Sequence, residues 1–338
     1  MQILEKYNLL KHNTFSMNVV CDYFIESSSE QEFQEFIRNN DVLSLRRIVL
    51  GGGSNFLFTE DFEGLVFYPS MKEINIINED KDCVYVRVGA GCVWDDFVLW
   101  AVENAYQGVE NMSYIPGHVG AAPVQNVGAY GQEASQTIYE VEALDFETGD
   151  KVVISNANCG FSYRNSNFKT VFKDAFLITY VVFKLSKNAG YCLEYGSLKS
   201  KLSRYTESPN LALMRQVIIE VRKEKLPEVE ELGSAGSFFK NPVVSKEKLE
   251  QLQTIYPDIV YFSLEDTNQV KLAAGWLIEK CGWKGKREGN VGVFSKQALV
   301  LVNYGGASGC EIAKLSNSIK NSVFLSFGVM LEPEVIML

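Results

Sequence analysis

Histidine is scarce in this chain of 338 residues, where only His12 and His118 are present. Its seven cysteines include no Cys-x-x-Cys pair. The sequence therefore argues against a metal site made of His or Cys clusters, and it disfavours a Ser-His-Asp triad without excluding one. An odd number of cysteines without paired spacing also argues against a disulfide framework, so we expect reduced thiols that pack as small buried hydrophobic residues.

Long apolar runs and excess positive charge are absent as well. No stretch of about 20 apolar residues occurs, and Met1–Tyr7 lacks the basic and apolar regions of a signal peptide. We therefore expect a cytoplasmic protein without membrane insertion. We also expect a monomer, although these absences do not bear on the oligomeric state. A net charge of -10 argues against nucleic-acid binding, although it leaves room for a local cationic pocket that binds an anionic ligand.

The chain shows strand and helix patterns throughout. Ser29 and Glu32 have the spacing of a capping box and predict a helix to Asn39. Ser208 and Pro209 are suited to begin a helix that ends near Glu224. Other patterns predict helices at 93–105, 246–255 and 270–281, a helix opened by Ser308, and strands at 15–24, 48–50, 84–88, 139–146, 151–154, 176–185, 298–303 and 323–331.

Two glycine-rich segments are candidates for binding a diphosphate. Gly51, Gly52, Gly53, Ser54 and Asn55 follow a predicted strand, but the apolar residues after them favour another strand rather than the helix of a Rossmann loop. A flexible turn explains this loop alone equally well. The second segment, residues 116–131, is almost uncharged, and the backbone of such a segment can approach a flat ligand closely.

Three further segments carry candidate reactive groups. Arg164 offers a planar guanidinium that matches a carboxylate or a phosphate, although a surface ion pair is the commoner role of a lone arginine. Ser237 lies between small residues and two phenylalanines, outside the G-x-S-x-G context of a hydrolase. Glu332 and Glu334 flank a proline near the C-terminus, where an exposed pair without function is also expected.

Together these segments resemble the UDP-N-acetylenolpyruvoylglucosamine reductase (MurB) family of peptidoglycan synthesis, over nearly the whole chain. The motifs G-S-F-F-K-N-P, P-G-x-x-G-x-x-P-x-Q-N-x-G-A-Y-G, Y-R-x-S and L-E-P-E-V occur in the family's order. The resemblance implies an α+β fold, with an FAD-binding fold of the vanillyl-alcohol-oxidase (PCMH) type in two subdomains and a family-specific α+β substrate domain. We expect the first FAD-binding subdomain at 1–70, joined by a C-terminal strand at 323–338. We expect the second FAD-binding subdomain at 71–207 and the substrate domain at 208–322.

The resemblance also assigns roles to residues. It implies Ser237 as proton donor, with Arg164 and Glu334 stabilising the enolate. It implies non-covalently bound FAD, NADPH as co-substrate and a UDP-sugar substrate. The implied substrate-binding residues are Tyr163, Tyr195, Lys225, Asn241 and Gln297. The implied cofactor-binding residues are Gly51, Gly52, Gly53, Ser54, Asn55, Pro116, Gly117, Gly120, Ala121, Gln125, Asn126, Gly128, Ala129 and Tyr130.

Departures from the family's pattern lie outside the three implied catalytic positions. His118 stands where the family commonly has a small residue, and Gly52 stands where it often has a glutamate. Two rival functions remain open: an oxidase that passes electrons to oxygen, and a UDP-sugar-binding protein without catalysis. Ser54 and Asn55 follow the first glycines with no nearby cysteine, which argues against covalent flavin attachment.

The implied chemistry agrees with the residue types. Hydride addition to the outer enolpyruvyl carbon would leave negative charge on the carbon that bears the carboxylate, and such an enolate needs cationic or hydrogen-bonding groups. Because an ionised Glu334 would repel the enolate, we expect Glu334 to act as a neutral donor. A serine hydroxyl such as Ser237 can protonate so strong a base without help from histidine.

Overall fold

The computed structural model describes residues 1–193, 198–206, 208–229, 231–264 and 267–338. Contacts between residues group the chain into two compact units. The first holds Met1–Asn8, Val20–Gly53 and Glu63–Arg222, and the second holds Leu9–Val19, Ser54–Phe62 and Lys223–Leu338. The boundary therefore passes through the first glycine loop, between Gly53 and Ser54. The expected division at 1–70, 71–207 and 208–322 stays a prediction.

The first unit contains two large sheets. One has the strand order β1-β2-β5-β3, and the other has the order β11-β10-β12-β7-β6. Its strands are β1 (Gln2–Asn8), β2 (Val20–Ser27), β3 (Arg47–Val49), β5 (Phe62–Pro69), β6 (Ile74–Glu79), β7 (Cys83–Gly89), β8 (Gly128–Ala129), β9 (Gln132–Glu133), β10 (Ile138–Asp145), β11 (Lys151–Ser155) and β12 (Phe176–Ser186). The short strands β8 and β9 pair as a separate hairpin.

Helices cover these sheets and complete two cores of the first unit. Helix α1 (Glu30–Asn39) buries Phe33 and Ile37, and the Ser29 hydroxyl accepts from the Glu32 amide as an N-cap. The second half of the predicted capping box does not form, because the Ser27 hydroxyl binds both the Glu32 carboxylate and the Ser29 amide. Helix α2 (Trp94–Glu103) buries Trp94 and Phe97 against the second sheet. Helices α3 (Leu198–Leu202) and α4 (Leu211–Lys225) pack together in a third cluster.

The second unit contains smaller sheets with the orders β13-β19-β18-β17 and β14-β16-β15, and a parallel pair, β4-β20. Its strands are β4 (Phe56–Leu57), β13 (Gly233–Ser237), β14 (Val243–Ser245), β15 (Tyr261–Ser263), β16 (Gln269–Leu272), β17 (Arg287–Glu288), β18 (Val291–Val293), β19 (Val300–Asn303) and β20 (Ile336–Met337). Its helices are α5 (Lys246–Ile255), α6 (Ala274–Lys280) and α7 (Gly309–Phe327). Phe15, Phe238 and Phe239 are buried in its interior.

The predicted strand at 323–331 is wrong, because α7 continues to Phe327. Ser316, Ile319, Val323 and Phe327 are buried at intervals of three or four residues, so the helical period outweighs the β-propensity of Val323. Gly328, with φ 63, ends the helix in the left-handed conformation. Within the fully described segment 323–338, the strand is β20, and it pairs with β4.

Three other boundaries differ from the prediction. Helix α4 begins at Leu211 rather than at Pro209, because the Asn210 side chain accepts from the Leu213 amide and so caps it. The predicted helix at 270–281 begins instead with strand β16, in which Val270 and Leu272 are buried and Lys271 is not. Residues before Val20 form a turn rather than a strand, since the Asn13 side chain binds the backbone of Leu9 and Met17.

The expectation that the cysteines pack as small buried hydrophobic residues holds for some of them only. All seven cysteines are free thiols; Cys21, Cys92 and Cys159 are buried, whereas Cys310 is exposed. Burial raises the pKa of Cys92 to about 11 and that of Cys159 to about 12, so neither thiol provides a thiolate nucleophile near neutral pH. In the described part of the chain, no helix combines the length and apolar character that crossing a bilayer requires.

Candidate functional site

The two glycine-rich segments lie against each other in the first unit. A Cβ atom on Gly52 would stand 2.8 Å from the Cα of Gly117, and one on Gly51 would stand 3.3 Å from the Cβ of His118. A Cβ on Gly120 would stand 2.7 Å from the Cβ of Ala90. Glycine is therefore required at Gly52 and Gly120, where the backbone packs too closely to leave room for a side chain.

The backbone of the second segment adopts unusual conformations at its far end. Asn126 and Tyr130 have φ angles of 48° and 50°, in the left-handed region that side-chain-bearing residues seldom occupy. Gly117 and Gly131 also have positive φ. Left-handed residues beside right-handed ones can turn successive backbone N–H groups toward one side, an arrangement that binds phosphate oxygens in other proteins. The segment thus has the features that a diphosphate-containing cofactor such as FAD requires.

Asn126 supports this segment through its side chain. Its Nδ2 donates to Oε2 of Glu133 at 2.7 Å and to the carbonyl of Ser162 at 3.2 Å, while its Oδ1 accepts from the amide of Ser135 at 2.9 Å. The residue is 1% exposed. Its amide is therefore engaged within the protein, so any contact of Asn126 with a cofactor would come from its backbone.

Buried polar residues that the sequence patterns did not reveal support the same segment. Glu110 accepts from the backbone of Gly108 and from the Gln132 side chain, and Asn111 donates to the carbonyl of Tyr130 at 2.9 Å. Glu110 and Asn111 are almost completely buried. Gln132 and Tyr130 lie 22 and 19 residues from their partners, so no local spacing in the sequence indicated these two contacts.

Arg164 is attached to the second glycine-rich segment. Its Nη2 donates to the carbonyl of Gly128 at 2.6 Å, and its Nη1 is 3.5 Å from the carbonyl of Asn126. The residue has a φ of 54° in a tight turn closed by hydrogen bonds between Ser162 and Asn165. The guanidinium lies 5.5 Å from the ring centre of Tyr163. The turn therefore fixes a cation beside the candidate cofactor segment.

A second cation, Arg222, lies in the same region and was missed by the sequence analysis. Burial lowers the pKa of its guanidinium and the charge of Arg164 acts in the same direction, whereas Tyr130, Asp95 and Tyr114 oppose the shift. Its Nε donates to the carbonyl of Tyr114 at 3.0 Å. About two turns earlier on α4, Arg215 makes a two-pronged ion pair with Asp95. Both arginines therefore attach α4 to the elements that precede the glycine-rich segment.

Other predicted cofactor residues occupy varied settings. His118 lies edge-on to the ring of Tyr68, with ring centres 5.8 Å apart, so it packs beside Gly51 without blocking the backbone approach. Pro116 and Ala121 are exposed, whereas Gln125 and Ala129 are half-buried. Tyr130 packs against the cluster formed by α3 and α4.

In the second unit, Ser237 and Glu334 lie on neighbouring backbone segments. Ser237 ends β13 opposite Val300, is exposed, and follows a register shift at which Gly236 has a φ of 65°. The amide of Glu334 donates to the carbonyl of Phe238 at 2.8 Å, and the amide of Lys240 donates to the carbonyl of Glu332 at 2.9 Å. Phe238 and Phe239 are buried and fix the strand, which leaves the serine hydroxyl accessible.

The first glycine loop continues into this unit through Ser54 and Asn55. The Asn55 Nδ2 donates to the carbonyl of Glu334 at 3.2 Å, and the Asn55 carbonyl accepts from the amide of Ile336 at 2.9 Å. Ser54 is half-buried. Asn55, which the sequence suggested as a cofactor ligand, is thus bonded to a residue suggested as catalytic.

The predicted substrate-binding residues have separate local roles. The Asn241 Oδ1 accepts from the amide of Ala274 at the start of α6, and the Gln297 Oε1 accepts from the amide of Leu299. Lys225 is exposed at the end of α4, and Tyr163 is half-buried beside Arg164. Tyr195 lies outside the described residues.

Two protein-family models match separate parts of the chain. Residues 227–338 match a family model described as the C-terminal domain of UDP-N-acetylenolpyruvoylglucosamine reductase, and residues 21–155 match one described as an FAD binding domain. The chain is 46% identical to the UDP-N-acetylenolpyruvoylglucosamine reductase of Bacteroides fragilis, over 98% of both chains. It is 43% identical to that of Flavobacterium johnsoniae, over 99% of both.

A solved structure supports the fold. The crystal structure of the UDP-N-acetylenolpyruvylglucosamine reductase (MurB) from Thermus caldophilus is similar to this chain, with a TM-score of 0.67 and 20% sequence identity. The match covers 99% of this chain and 98% of the Thermus caldophilus chain. At that identity the likeness concerns the fold alone. Together with the FAD binding domain match, it confirms the predicted α+β fold class with an FAD-binding fold of the PCMH type.

Proposed function

Since this chain belongs to the UDP-N-acetylenolpyruvoylglucosamine reductase family and is therefore an oxidoreductase, we propose that it reduces UDP-N-acetylglucosamine enolpyruvate to UDP-N-acetylmuramate with NADPH. The product would serve peptidoglycan precursor synthesis. The observation that carries the proposal is the hydrogen bond that holds Glu334 beside the Ser237 strand. We include in the proposal the predicted cytoplasmic location and monomeric state.

The residues of the first unit fit an FAD held without a covalent bond. The close approach of Gly52 to Gly117 and the left-handed backbone at Asn126 and Tyr130 suit a diphosphate bound by N–H groups. We also assign Gly51, Gly53, Gly120 and Gly128 to this site; a Cβ on Gly120 would stand 2.7 Å from the Cβ of Ala90, and one on Gly128 would stand 2.7 Å from the carbonyl oxygen of Gln132. When bound, FAD supplies the hydride that NADPH provides. The neighbouring Pro116, Ala121, Gln125 and Ala129 would complete its surroundings.

Arg164 stabilises the negative charge that hydride addition leaves on the substrate. Charge develops on the carbon that bears the carboxylate and spreads into the carboxylate oxygens, which match a planar guanidinium. The carbonyls of Gly128 and Asn126 hold this guanidinium before the reaction. A charge that is already oriented requires little reorganisation in the transition state, which is how such groups accelerate reactions.

Glu334 acts as a neutral hydrogen-bond donor to the same oxygens. Glu334 is only half-buried in the described chain, so burial by the protein alone is incomplete. We assign the neutral form to Glu334 because an ionised carboxylate would repel the enolate that forms beside it. Ketosteroid isomerase is a case in which a neutral carboxylic acid serves this purpose.

Ser237 then delivers the proton to the carbon that bears the carboxylate. The hydroxyl is exposed at the end of β13, and the backbone on its C-terminal side is held by Leu299 and Glu334. An enolate is basic enough to take a proton from a hydroxyl. Histidine is not needed, which agrees with the presence of only two in the chain.

The UDP-sugar is bound by residues that flank this chemistry. Lys225 supplies an exposed ammonium for the diphosphate. Asn241 and Gln297 contribute their side-chain N–H groups, while their side-chain oxygens accept from the backbone amides of Ala274 and Leu299. Tyr163 and Tyr195 add hydroxyl and ring contacts.

The test is analysis of the product. Purified protein incubated with NADPH and the enolpyruvyl sugar should consume both in equal amounts and give a product that is heavier by two hydrogen masses, with a lactyl methyl doublet in its proton spectrum. Binding of the sugar without any change in its mass would contradict the proposal and favour a binding protein.

A further inference from the structure

Asn55 connects the first glycine loop to the C-terminal segment by a continuous set of hydrogen bonds. The Ile336 amide donates to the Asn55 carbonyl, and the Leu338 amide donates to the Leu57 carbonyl, both at 2.9 Å. The Thr59 amide and hydroxyl donate to the Leu338 carbonyl at 2.7 and 2.5 Å. The Asn55 side chain extends this ladder by one bond, to the carbonyl of Glu334 at 3.2 Å.

We propose that Asn55 is a positioning residue for Glu334: its amide fixes the carbonyl side of Glu334 while the Phe238 carbonyl fixes the amide side. The inference rests on the proposed catalytic role of Glu334. It also gives Asn55 a role different from the cofactor contact that the sequence suggested.

The backbone around Glu334 makes the Asn55 side chain important. Pro333 precedes Glu334 and has no N–H group, so it cannot donate a hydrogen bond to fix this stretch. The bonds to the Glu334 amide and carbonyl therefore hold its backbone from two sides. Loss of the Asn55 amide would release one side while the ladder from Ile336 onward remains.

A small displacement of Glu334 is sufficient to slow the reaction. An error of about 1 Å in the position of a reacting group can reduce the rate about 100-fold. The step that needs Glu334 is reduction of the enolpyruvyl group, whereas reduction of the flavin by NADPH precedes it. A positioning role thus predicts a selective effect on one half-reaction, and a cofactor contact predicts weaker FAD binding.

The test compares Asn55→Ala with Thr59→Val, which removes a hydroxyl donor from the far end of the same ladder. For each holoenzyme we would measure FAD content, melting temperature, flavin reduction by NADPH and flavin reoxidation by the enolpyruvyl sugar. We expect Asn55→Ala to keep FAD content and flavin reduction within about threefold of the parent, while reoxidation slows about 10- to 100-fold. Thr59→Val should leave both half-reactions unchanged.

A double variant separates positioning from other causes. Because Asn55 acts through Glu334, adding Asn55→Ala to Glu334→Ala should slow reoxidation by less than about threefold more. Asn55→Leu has a similar size without a donor, and it provides the same comparison if the alanine variant does not fold.

Each contrary outcome has a distinct meaning. Loss of FAD, an equal slowing of both half-reactions, or full additivity in the double variant would overturn the positioning role. Normal reoxidation in Asn55→Ala alongside slow reoxidation in Glu334→Ala would overturn it while leaving the proposed function intact. Normal reoxidation in Glu334→Ala would overturn both.

Discussion

The main-chain amide of Glu334 donates a hydrogen bond to the carbonyl of Phe238, the residue that follows Ser237, at 2.8 Å. Residues nearly 100 positions apart in sequence are therefore held next to each other by main-chain contacts. Buried Phe238 and Phe239 anchor one side of this pair, and the Asn55 amide anchors the other. The proposed proton donor and the proposed neutral acid thus share one rigid support.

Replacement of Ser237 by alanine should block a single step. We expect the variant to bind FAD and to be reduced by NADPH at the parent rate, because the exposed hydroxyl is not part of the β-sheet hydrogen bonding. Sugar reduction should fall by at least about 10²–10⁴-fold, the usual contribution of a general acid. Stopped-flow absorbance of the flavin measures both steps. Full turnover in this variant would remove Ser237 from the mechanism.

Replacement of Glu334 separates a neutral donor from a charged group. Glutamine keeps a hydrogen-bond donor without the charge, so Glu334→Gln should retain reoxidation by the sugar within about 10-fold, while Glu334→Ala should lose about 100-fold or more. Rates of flavin reoxidation over a range of sugar concentrations test this. If Glu334→Gln and Glu334→Ala slowed flavin reoxidation by the same factor, Glu334 would not act as a neutral hydrogen-bond donor.

Gly52 tests the close contact of the two glycine-rich segments. The added Cβ of Gly52→Ala would stand 2.8 Å from the Cα of Gly117, so the backbone must shift and FAD binding should weaken at least about 10-fold. Gly190→Ala is the matched control, since no atom lies within 4 Å of its added Cβ. Titration of apoprotein with FAD, followed by flavin fluorescence, gives both affinities. Unchanged affinity in Gly52→Ala would show that the cofactor does not depend on this contact.

The ion pairs of Glu142 in the first unit predict an effect on the stability of the protein. It accepts from Arg87 at 2.7 and 2.8 Å and pairs with Lys151 at 2.7 Å, and Arg87 stacks 3.3 Å over the ring of Tyr180. Because the Glu142 side chain is 9% exposed, Glu142→Gln should lower the free energy of unfolding by about 2–3 kcal/mol at pH 7. Chemical denaturation measures this change, with Asp22→Asn, which breaks an ion pair to the exposed Lys6, as the control that should change little.

The same network predicts a dependence of stability on pH. Burial acts to raise the pKa of Glu142, but Arg87 and Lys151 outweigh it and lower the pKa below the ordinary value of 4.5. The stabilisation is therefore fully present above about pH 4.5 and is lost as the pH falls through the folded-state value. The difference in unfolding free energy between the parent and Glu142→Gln should narrow below pH 4.5. If the difference in unfolding free energy stayed constant down to pH 3, the ion pairs of ionised Glu142 would not be its cause.

Local patterns in the sequence predicted the regular elements well. The N-cap at Ser29, the alternation at Val84–Val88 and the hairpin around Gly149 all rest on contacts within a few residues, and the structure confirms them. The end of α7 was mispredicted because Val323 favours strands locally, whereas its burial follows a helical period.

Long-range relationships in the site could not be read from local patterns. The motifs indicated Ser237, Arg164 and Glu334 as candidates, but the hydrogen bond from Asn55 to Glu334 spans 279 residues. Arg222 gave no motif signal, since its role depends on burial near Arg164 and on the carbonyl of Tyr114. Such partners are determined by tertiary packing, which spacing along the chain does not encode.

The flavin spectrum of the purified protein tests the proposed function most directly. Without oxygen, NADPH should bleach the absorbance near 450 nm, a region where oxidised flavins absorb, and the enolpyruvyl sugar should restore it with formation of one reduced sugar for each flavin (roughly one turnover). A colourless protein would contradict the account, as would a reduced flavin that the sugar leaves bleached and only oxygen restores.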